Sequence, residues 1–445
     1  MPLSQHNLQT YNQRVKRILP GGIHYNFRLP WEETPLHFVK SKGSRLWDMN
    51  GNQYLDFYAR FGALIVGHGN EQYNDYLKQT IDRVLSVSHS DLDAEVLEAL
   101  NAHIPSAEMI RFGLSGTEIV QNAIRLARAW TGRNRFIRFE GHYHGNADNI
   151  MGGKSSKLKS YIPSDFKGDL RGTDGRAIDA LESQSYLLPW NNIEILEAFV
   201  CEHHHELAAI ITEPICVNAG SIMPQKGYLE SMRSLCDRYG IVLIFDEIIT
   251  GFRSGLGGAQ TLLGVIPDLT ALGKAIGGGG LPVAALAGKK EIMQLLVEKK
   301  VIHAGTFNGY PLGMAAVKAT VEILSQNQGA ALQHMNKTVE AIHDLFKSRA
   351  QAIGIPLIIQ GPPAYASYHC CEKPLLIPSD YTFDIMTLDI ILNNCLVKNG
   401  ILVSTLSRIY PNILINDDDV NWFAEHIDQA LMDAKIIFDE MLVCV

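Results

Sequence analysis

The stretch "IVLIFDEIITGF", residues 241–252, decides how the fold of this chain is interpreted. Five apolar residues run directly into Asp246 and Glu247, which is the pattern of a buried β-strand that ends on two carboxylates. An unpaired charge in such a place is costly, so a positive group should meet it. Three groups are candidates: a magnesium ion on a nucleotide, a catalytic metal ion, or the cationic ring nitrogen of an organic cofactor.

The composition is that of an ordinary globular enzyme and excludes some classes of function. The chain has 445 residues, of which 46% are hydrophobic and 19% charged, enough for two to three domains. Its net charge of −8 argues against a nucleic-acid partner. The seven cysteines show neither a disulfide framework nor a C-x-x-C zinc site, which favours reduced thiols. No stretch has the pattern of a signal peptide or a membrane span, so we expect a cytoplasmic protein without membrane contact.

Strand-like and helix-like segments alternate from about residue 90 to residue 310. Strands are predicted at "MIRFGL" (109–114), "RFIRFE" (135–140), "LAAIITEP" (207–214), the opening stretch and "LTALGK" (269–274). Helices are predicted at "TEIVQNAIRLARAW" (117–130), "NNIEILEAFVCEHHH" (191–205), "LESMRSLCDRYG" (229–240) and "PLGMAAVKATVEILSQ" (311–326). The first of these helices has one apolar face, formed by Ile119, Val120, Ala123, Ile124, Ala127 and Trp130. The alternation predicts an α/β fold with a mainly parallel sheet flanked by helices and a ligand at the C-terminal ends of the strands.

The same pattern divides the chain into two domains. Residues 66–315 are expected to form the large α/β domain, and residues 1–65 and 316–445 a smaller α+β domain built from both chain ends. Within the N-terminal part, "LHFVKSKGSRLWDMNGNQYLDF" (36–57) alternates around Asn50-Gly51, which predicts a hairpin.

A magnesium ion on a nucleotide and a catalytic metal ion are the less favoured partners for the charge on Asp246. A P-loop requires G-x-x-x-x-G-K-[ST], and "GGKSS" (152–156) lacks the first glycine because Asp148 occupies that position. The three consecutive histidines of "CEHHHE" (201–206) would point about 100° apart on a helix and cannot converge on one ion. His142 and His144 in "GHYHG" are better spaced, but no third ligand accompanies them, so no metal is expected.

A cofactor with a ring nitrogen fits better. Pyridoxal 5′-phosphate (PLP) needs a lysine for a Schiff base, a carboxylate at the pyridinium nitrogen and a site for its phosphate. Lys274 stands between an apolar strand and a run of glycines, residues 277–280, which allows close approach of the backbone.

Two further motifs can bind the phosphate. "SGTE" (115–118) closes a strand and opens a helix, where Ser115 and Glu118 have the spacing of a capping box. The free N–H groups and dipole of that helix make a cradle for an anion. Gly305-Thr306, just before the helix that begins near Pro311, offers a second hydroxyl.

Three longer stretches carry a resemblance to a known family: "LSGTEIVQNAIRLARAWTGRNRFIRFEGHYHG" (114–145), "LIFDEIITGFRSGLGGAQTLLGVIPDLTALGKAIGGGGLPVAALAG" (243–288) and "HAGTFNGYPLGMAA" (303–316). They resemble the class III aminotransferases, which are fold-type-I PLP enzymes. Within that family they are most similar to the glutamate-1-semialdehyde aminomutase branch and its aminotransferase relatives, although the motifs are far more specific for the cofactor and fold than for the substrate. The resemblance implies PLP as the cofactor and a homodimer as the active form.

By this resemblance, Lys274 holds the cofactor as a Schiff base and then moves protons as a base. Asp246 would pair with the protonated ring nitrogen, which answers the question of the opening stretch, and Glu247 would be structural. Phosphate binding falls to Ser115, Gly116 and Thr117 of one subunit, and Thr306 would reach the phosphate of the neighbouring subunit's cofactor.

The resemblance also assigns the surroundings of the cofactor ring. Tyr143 in "GHYHG" would stack on one face of the ring, and Ile248 would close the other. Asn218 in "EPICVNAG" would lie near the 3-hydroxyl of the ring, and Glu213 of the same motif would line the site.

Two positions separate amino transfer between molecules from the aminomutase reaction. The aminomutase branch has a "GG" motif followed by a serine and an arginine; in "GGIHYNFR" (21–28) Tyr25 replaces the serine and Arg28 is kept. In "ILVSTLSRIYPN" (401–412) Arg408 stands where the aminomutases have a glutamate. Two arginines suit carboxylate recognition, as in the β-amino-acid aminotransferases of this branch.

We therefore expect an aminotransferase that moves an amino group from a donor to a keto or aldehyde group of a carboxylate or carrier-linked acyl substrate. The alternatives are the glutamate-1-semialdehyde 2,1-aminomutase reaction within one molecule and a non-catalytic PLP-binding regulator. Retention of Lys274, Asp246 and both phosphate motifs argues against the regulator. The expected partners are small-molecule donors and acceptors, with an acyl chain on a carrier protein as a further alternative.

Overall fold

The structure is a computed structural model, and it describes residues 5–24, 35–151, 184–404 and 406–443. By its internal contacts the chain divides into two compact units. The smaller unit comes from the ranges Met1–Glu71, Ala331–Pro374 and Thr382–Val445, and the larger unit from Gln72–Ala330 and Leu375–Tyr381. The predicted boundary after residue 315 falls inside the helix Pro311–Ser325, which lies wholly in the larger unit because its buried face packs there.

The strands and helices are numbered in chain order. The strands are β1 (Phe38–Lys42), β2 (Arg45–Asp48), β3 (Gln53–Asp56), β4 (Met109–Gly113), β5 (Arg135–Phe139), β6 (Ser185–Leu188), β7 (Leu207–Thr212), β8 (Val242–Glu247), β9 (Leu269–Leu272), β10 (Ala284–Gly288), β11 (Ile358–Gln360), β12 (Ser367–His369) and β13 (Ile401–Leu402). The helices are α1 (Gln5–Lys16), the single turn α2 (Ala59–Gly62), α3 (Glu71–Val84), α4 (Leu92–His103), α5 (Gly116–Thr131), α6 (Ile193–His203), α7 (Tyr228–Tyr239), α8 (Gly258–Leu263), α9 (Lys290–Val297), α10 (Pro311–Ser325), α11 (Ala330–Ala352), α12 (Phe383–Lys398) and α13 (Asp417–Val443). None of these described helices is both long and apolar enough to cross a membrane.

The larger unit is built on a seven-stranded sheet with the order β4-β10-β9-β8-β7-β5-β6. The neighbours from β9 to β6 pair in parallel, whereas β10 runs antiparallel to both β4 and β9. The mainly parallel sheet predicted from the sequence is confirmed. β10 was not predicted from the sequence, because its residues, "AALAG", are small and lack the β-branched and aromatic side chains typical of strands.

Helix α5 packs against this sheet through the apolar face that the sequence indicated. The side chains at 119, 120, 123, 124 and 127 are at most 1% exposed and belong to one hydrophobic core with β7, β8 and β9. Trp130, predicted on the same face, is 44% exposed. It stands in the last turn, just before Gly132 ends the helix in the left-handed conformation, and so extends past the core.

The smaller unit has a four-stranded sheet with the order β1-β2-β3-β13. β2 and β3 form the predicted hairpin, with Gly51 at a φ of 88° in the turn. β13 pairs in parallel with β3, so both chain ends contribute to this sheet. The rings of Phe57, Phe346 and Phe423 pack edge to face in the core of the unit.

The two carboxylates at the end of β8 are both buried, but their hydrogen-bond partners differ. Glu247 is fully buried, and its carboxylate accepts hydrogen bonds from the Thr250 hydroxyl, the backbone N–H groups of Ala259 and Gln260, and the Gln260 side chain, at 2.5–3.1 Å. Its role is therefore to tie β8 to the start of α8.

Replacing Glu247 with alanine should strongly destabilise the larger unit, because these buried donors lose their acceptor. Each buried donor left unsatisfied costs about 1–3 kcal/mol. A loss on the order of 3–5 kcal/mol corresponds to a fall of roughly 6–20 °C in Tm for a unit of this size. Glu230, exposed in the first turn of α7, is the matched control, and Glu230→Ala should move Tm by less than about 2 °C. Equal shifts in the two variants by scanning calorimetry would contradict this role.

Candidate active site

Asp246 ends β8 with a carboxylate that is only 4% exposed. Its Oδ2 is 2.7 Å from Nδ1 of His144, and its Oδ1 accepts a hydrogen bond from the backbone N–H of Ile248 at 3.0 Å. Because a carboxylate only accepts, the Nδ1 of His144 carries the proton of this contact. Asp246 is thus fixed from two sides, and its charge is shielded from water.

The side chain of Ile248 joins three parts of the site. A Cβ on Gly116, at the start of α5, would lie 3.1 Å from Cδ1 of Ile248. A Cβ on Gly273, at the end of β9, would lie 2.9 Å from the same atom. The two glycines leave room for the Ile248 side chain, which therefore contacts the start of α5 and the end of β9 from its place after β8.

The N-terminus of α5 has the predicted cap with one change. The Ser115 hydroxyl accepts a hydrogen bond from the Glu118 N–H at 3.3 Å, as in a capping box. The Glu118 carboxylate, however, accepts from the N–H of Leu114 at 3.0 Å and not from Ser115. The cap is therefore reciprocal but reaches one residue further back along the chain.

Beside this helix start, Thr117 contacts the loop that follows β5. Its hydroxyl is 3.2 Å from the Asn146 Oδ1 and accepts from the Asn146 N–H at 3.3 Å. A Cβ on Gly145 would lie 2.4 Å from the same hydroxyl oxygen, and the φ of Gly145 is 106°. Ser115, Thr117, Tyr143 and Asn146 line a cavity of about 710 Å³.

Glu213 binds two of the residues that the family resemblance assigned to the surroundings of the cofactor ring. Its carboxylate accepts hydrogen bonds from the Tyr143 N–H at 2.8 Å and from the Asn218 Nδ2 at 2.6 Å. The backbone N–H groups of Val217 and Asn218 also donate to it, at 3.0 and 3.2 Å. Burial raises the pKa of Glu213, and the nearby charge of His144 opposes this shift. Burial and then the charge of Asp246 raise the pKa of Tyr143, so its hydroxyl stays protonated at neutral pH.

Lys274 follows β9, the strand next to β8. The register pairs Asp246 with Ala271, three residues before Lys274, so both residues stand at the C-terminal edge of the sheet. Lys274 is half-buried and opens a short 3₁₀ turn, Lys274–Gly277, with a φ of 45°. A positive φ is uncommon for a residue with a side chain, and such residues concentrate at functional sites.

Four predicted site residues remain: Thr306, Tyr25, Arg28 and Arg408. Thr306 is exposed in a turn between Ile302 and Tyr310 of the larger unit. Tyr25 and Arg28 fall outside the described residues. Arg408 belongs to the smaller unit and is 2% exposed; its Nη1 donates to the Tyr410 hydroxyl at 3.2 Å.

Sequence reasoning missed the role of the two histidines of "GHYHG", which it weighed only as metal ligands. His144 pairs with Asp246, and the Nδ1 of His142 accepts a hydrogen bond from the Glu213 N–H at 3.1 Å. Burial, followed by the charge of His144, holds the pKa of His142 well below its usual range, so His142 is neutral. Among the described residues, no group of three or more His, Cys, Asp or Glu could hold a metal ion.

These residues fit PLP. A buried carboxylate with a histidine behind it suits a cationic ring nitrogen, and the open start of α5 with two hydroxyls suits a phosphate. Lys274 supplies an amine at the same edge of the sheet. All of these groups lie within the larger unit, close to Ile248.

The fold and this site define a fold-type-I PLP-dependent enzyme, as predicted. The chain is similar to a solved omega-transaminase from Sphaerobacter thermophilus, with a TM-score of 0.87 and 28% identity, covering 96% of this chain and 98% of that one.

The comparison of sequences names the family. The model of the class III aminotransferases ("Aminotransferase class-III") matches residues 29–431. The chain is 38% identical over 349 residues to the glutamate-1-semialdehyde 2,1-aminomutase of Thermodesulfovibrio yellowstonii, covering 78% of this chain and 79% of that protein. It is 32% identical over 434 residues to the enzyme of that name from Natranaerobius thermophilus, covering 96% and 98%. The chain belongs to the class III aminotransferase family; it is an enzyme, and its cofactor is PLP.

Replacing Thr117 with valine should weaken PLP binding, because a hydroxyl beside the start of α5 is lost. A hydrogen bond to a charged group contributes about 1.5–3 kcal/mol, so the Kd for PLP should rise roughly tenfold or more. Thr131, whose hydroxyl donates to the Ala127 carbonyl at 2.8 Å at the far end of α5, is the matched control. Thr131→Val should leave the Kd within about twofold. Fluorescence titration of the PLP-free protein measures both values, and an unchanged Kd in Thr117→Val would remove Thr117 from the phosphate site.

Proposed function

We propose that this enzyme transfers an amino group from a donor to a keto or aldehyde group of a separate carboxylate substrate, with β-amino acids among the candidate donors. The observation that carries the proposal is the meeting of Lys274, Asp246 and the start of α5 around Ile248. A lysine, a buried carboxylate and an anion cradle are the groups that amino transfer on PLP needs.

When bound, PLP supplies an electron sink that makes the C–H bond beside the amine nitrogen acidic. Lys274 would hold the cofactor through Nζ, and its free amine would then move a proton at the substrate carbon that carries the amino group. The position of that amine depends on the backbone of the turn Lys274–Gly277.

Asp246 would hold the ring nitrogen. His144 and the N–H of Ile248 orient its carboxylate, and His144 also supports the negative charge. Because Asp246 is almost wholly buried, its charge is weakly screened and acts strongly on a cation beside it.

Tyr143 would stack on one face of the ring and Asn218 would lie near its 3-hydroxyl, as the family resemblance implies. Glu213 binds the backbone of one and the side chain of the other, so it would act on the cofactor through these two residues. Ile248 would close the opposite face from its position between Gly116 and Gly273.

We further propose that the active form is a homodimer. Thr306 is exposed, and Ile302 and Phe307 beside it are 76% and 60% exposed. Apolar side chains around an exposed hydroxyl favour a surface that a second copy covers, from which Thr306 would reach the other subunit's cofactor phosphate. Sedimentation analysis of the purified enzyme tests this assembly; a monomer with full activity would contradict it.

The choice between transfer and isomerisation rests on the substrate residues. Tyr25, Arg28 and Arg408 favour recognition of a carboxylate in two successive substrates, which follows ping-pong kinetics. The second candidate is the glutamate-1-semialdehyde 2,1-aminomutase reaction, which the names of relatives at 32% and 38% identity favour. A panel of donors with free keto acids, semialdehyde acids and carrier-linked acyl acceptors separates the two. Efficient isomerisation of glutamate-1-semialdehyde without any added donor would overturn the transfer reaction.

Replacing Asp246 with asparagine should leave PLP bound but slow turnover, because a neutral amide does not keep the ring nitrogen protonated. Loss of this charge should lower kcat by at least about a hundredfold. The control is Asp268→Asn, since the Asp268 carboxylate accepts from the N–H of Leu243 near the opposite end of β8 and pairs with Arg233. That variant should lose stability but keep kcat within about threefold. Single-turnover rates of the two variants and the wild type test this prediction. Near-normal turnover of Asp246→Asn would show that this carboxylate has another role.

Replacing Arg408 with alanine should selectively impair substrates with a second carboxylate. Loss of one bidentate contact costs on the order of 2–3 kcal/mol, roughly 30- to 150-fold in kcat/KM. Amines without a carboxylate should be little affected. Arg45→Ala is the control, because Arg45 pairs with Asp419 at 2.7 Å in the same unit and should affect both substrate types equally. Steady-state kinetics that show equal losses for both substrate types in Arg408→Ala would make Arg408 a structural residue.

A further inference from the structure

The backbone at Lys274 must be held in place by its neighbours. Its φ of 45° is unfavourable for a residue with a side chain, and such a conformation persists only where the surroundings impose it. On the N-terminal side, Gly273 lies against Ile248. On the C-terminal side comes the glycine run, Gly277–Gly280, in which Gly278 and Gly279 have φ values of 73° and 114°. Four glycines without side chains cannot fix their own conformation, so another residue must do so.

Tyr73, in α3, contacts the glycine run in two ways. Its hydroxyl donates a hydrogen bond to the Gly277 carbonyl at 2.6 Å and takes a backbone hydrogen bond from Gly280. Its ring fills the space beside the glycines: a Cβ on Gly278 would lie 2.5 Å from its Cε2, and a Cβ on Gly280 would lie 3.0 Å from its hydroxyl oxygen. The space that these glycines leave is therefore occupied by a side chain of this protein.

The environment of Tyr73 suits a fixed contact. The side chain is 4% exposed, and burial raises the pKa of its hydroxyl well above the usual range, so the group stays protonated and donates. Thr320 of α10 packs beside Gly278 as well, with its Oγ1 2.8 Å from the position of a Cβ there. Tyr73 thus contacts the glycine run three to six residues beyond Lys274, and Thr320 adds a second contact at Gly278.

We propose that Tyr73 is a positioning residue that clamps the glycine run and thereby holds the Nζ of Lys274 in place for its work on the cofactor. This inference rests on the proposed role of Lys274. It predicts that removal of the Tyr73 hydroxyl disturbs turnover without unfolding the larger unit, because the ring still fills its space.

The test compares Tyr73→Phe with Tyr186→Phe in the full-length holoenzyme. Tyr186 is a matched control: it is 1% exposed, lies in the same unit, and donates one hydrogen bond of 2.7 Å to Glu206. In Tyr73→Phe the Gly280 amide loses its acceptor, so its hydrogen exchange should become about tenfold faster. PLP is removed and added back, and borohydride reduction at successive times measures the rate at which it becomes attached to the protein. This rate and kcat should each fall about five- to tenfold. KM should stay within about twofold, and Tyr186→Phe should change none of these by more than about twofold.

A double-mutant cycle with Gly280→Ala tests the contact itself. The backbone of Gly280 lies outside the left-handed region, and the three atoms nearest the position that an alanine methyl group would take there all belong to Tyr73. Gly280→Ala should slow attachment about fivefold in the wild-type background and less than about twofold when Tyr73 is phenylalanine, because the hydroxyl is then absent. If the two substitutions act independently, so that their effects on the attachment rate multiply in the double variant, the proposed contact is overturned.

The outcomes separate this inference from the proposed function. Mass spectrometry of the borohydride-reduced wild type that places PLP on a lysine other than Lys274 would overturn both. PLP on Lys274 together with unchanged exchange and kcat in Tyr73→Phe would overturn the clamp and leave the role of Lys274 intact. Equal losses in Tyr73→Phe and Tyr186→Phe would also overturn the clamp, because they would reflect general loss of packing.

Discussion

The buried carboxylate of Asp246 is the constraint on which the larger unit is organised. Two adjacent acids end β8, and neither is exposed to water. Glu247 is satisfied within the chain by donors from Thr250, Ala259 and Gln260, so it has no need of a ligand. Asp246 has a histidine on one oxygen and a backbone N–H on the other, and it stands at the edge where ligands bind in parallel sheets. Glu247 therefore has a structural role, and Asp246 is the carboxylate that fits a cationic ligand.

Close packing of small residues then brings the separate motifs to that edge. Ile248 sits between Gly116 and Gly273, so the start of α5 and the end of β9 are held against the residue that follows the carboxylates. The glycines beyond Lys274 follow the same principle, with the ring of Tyr73 in the space that they leave. Both arrangements use the absence of a Cβ to let larger side chains lock a backbone in position.

The groups that fit the cofactor and the residue proposed to recognise the substrate belong to different parts of the chain. The groups that fit PLP belong to the larger unit, in which Asp246, Lys274 and the start of α5 lie together. Arg408, by contrast, belongs to the smaller unit and is buried beside Tyr410. If Arg408 recognises the substrate, as proposed above, substrate residues can change among relatives without disturbing the groups that fit PLP.

The sequence by itself determined the class of fold, the places along the chain of β4, β5, β7, β8 and β9 and of α5, α6, α7 and α10, the hairpin at Asn50-Gly51 and the family, because these depend on local periodicity and on motifs a few residues long. The tertiary structure decided which side chains meet. The partner of Asp246 is 102 residues away in the chain, and the carbonyl that binds Tyr73 is 204 residues away from it. It also decided that β10 runs antiparallel within the sheet and that Trp130 leaves the core. Such contacts depend on the order of strands and on the packing of helices upon them, which local patterns in one sequence do not encode.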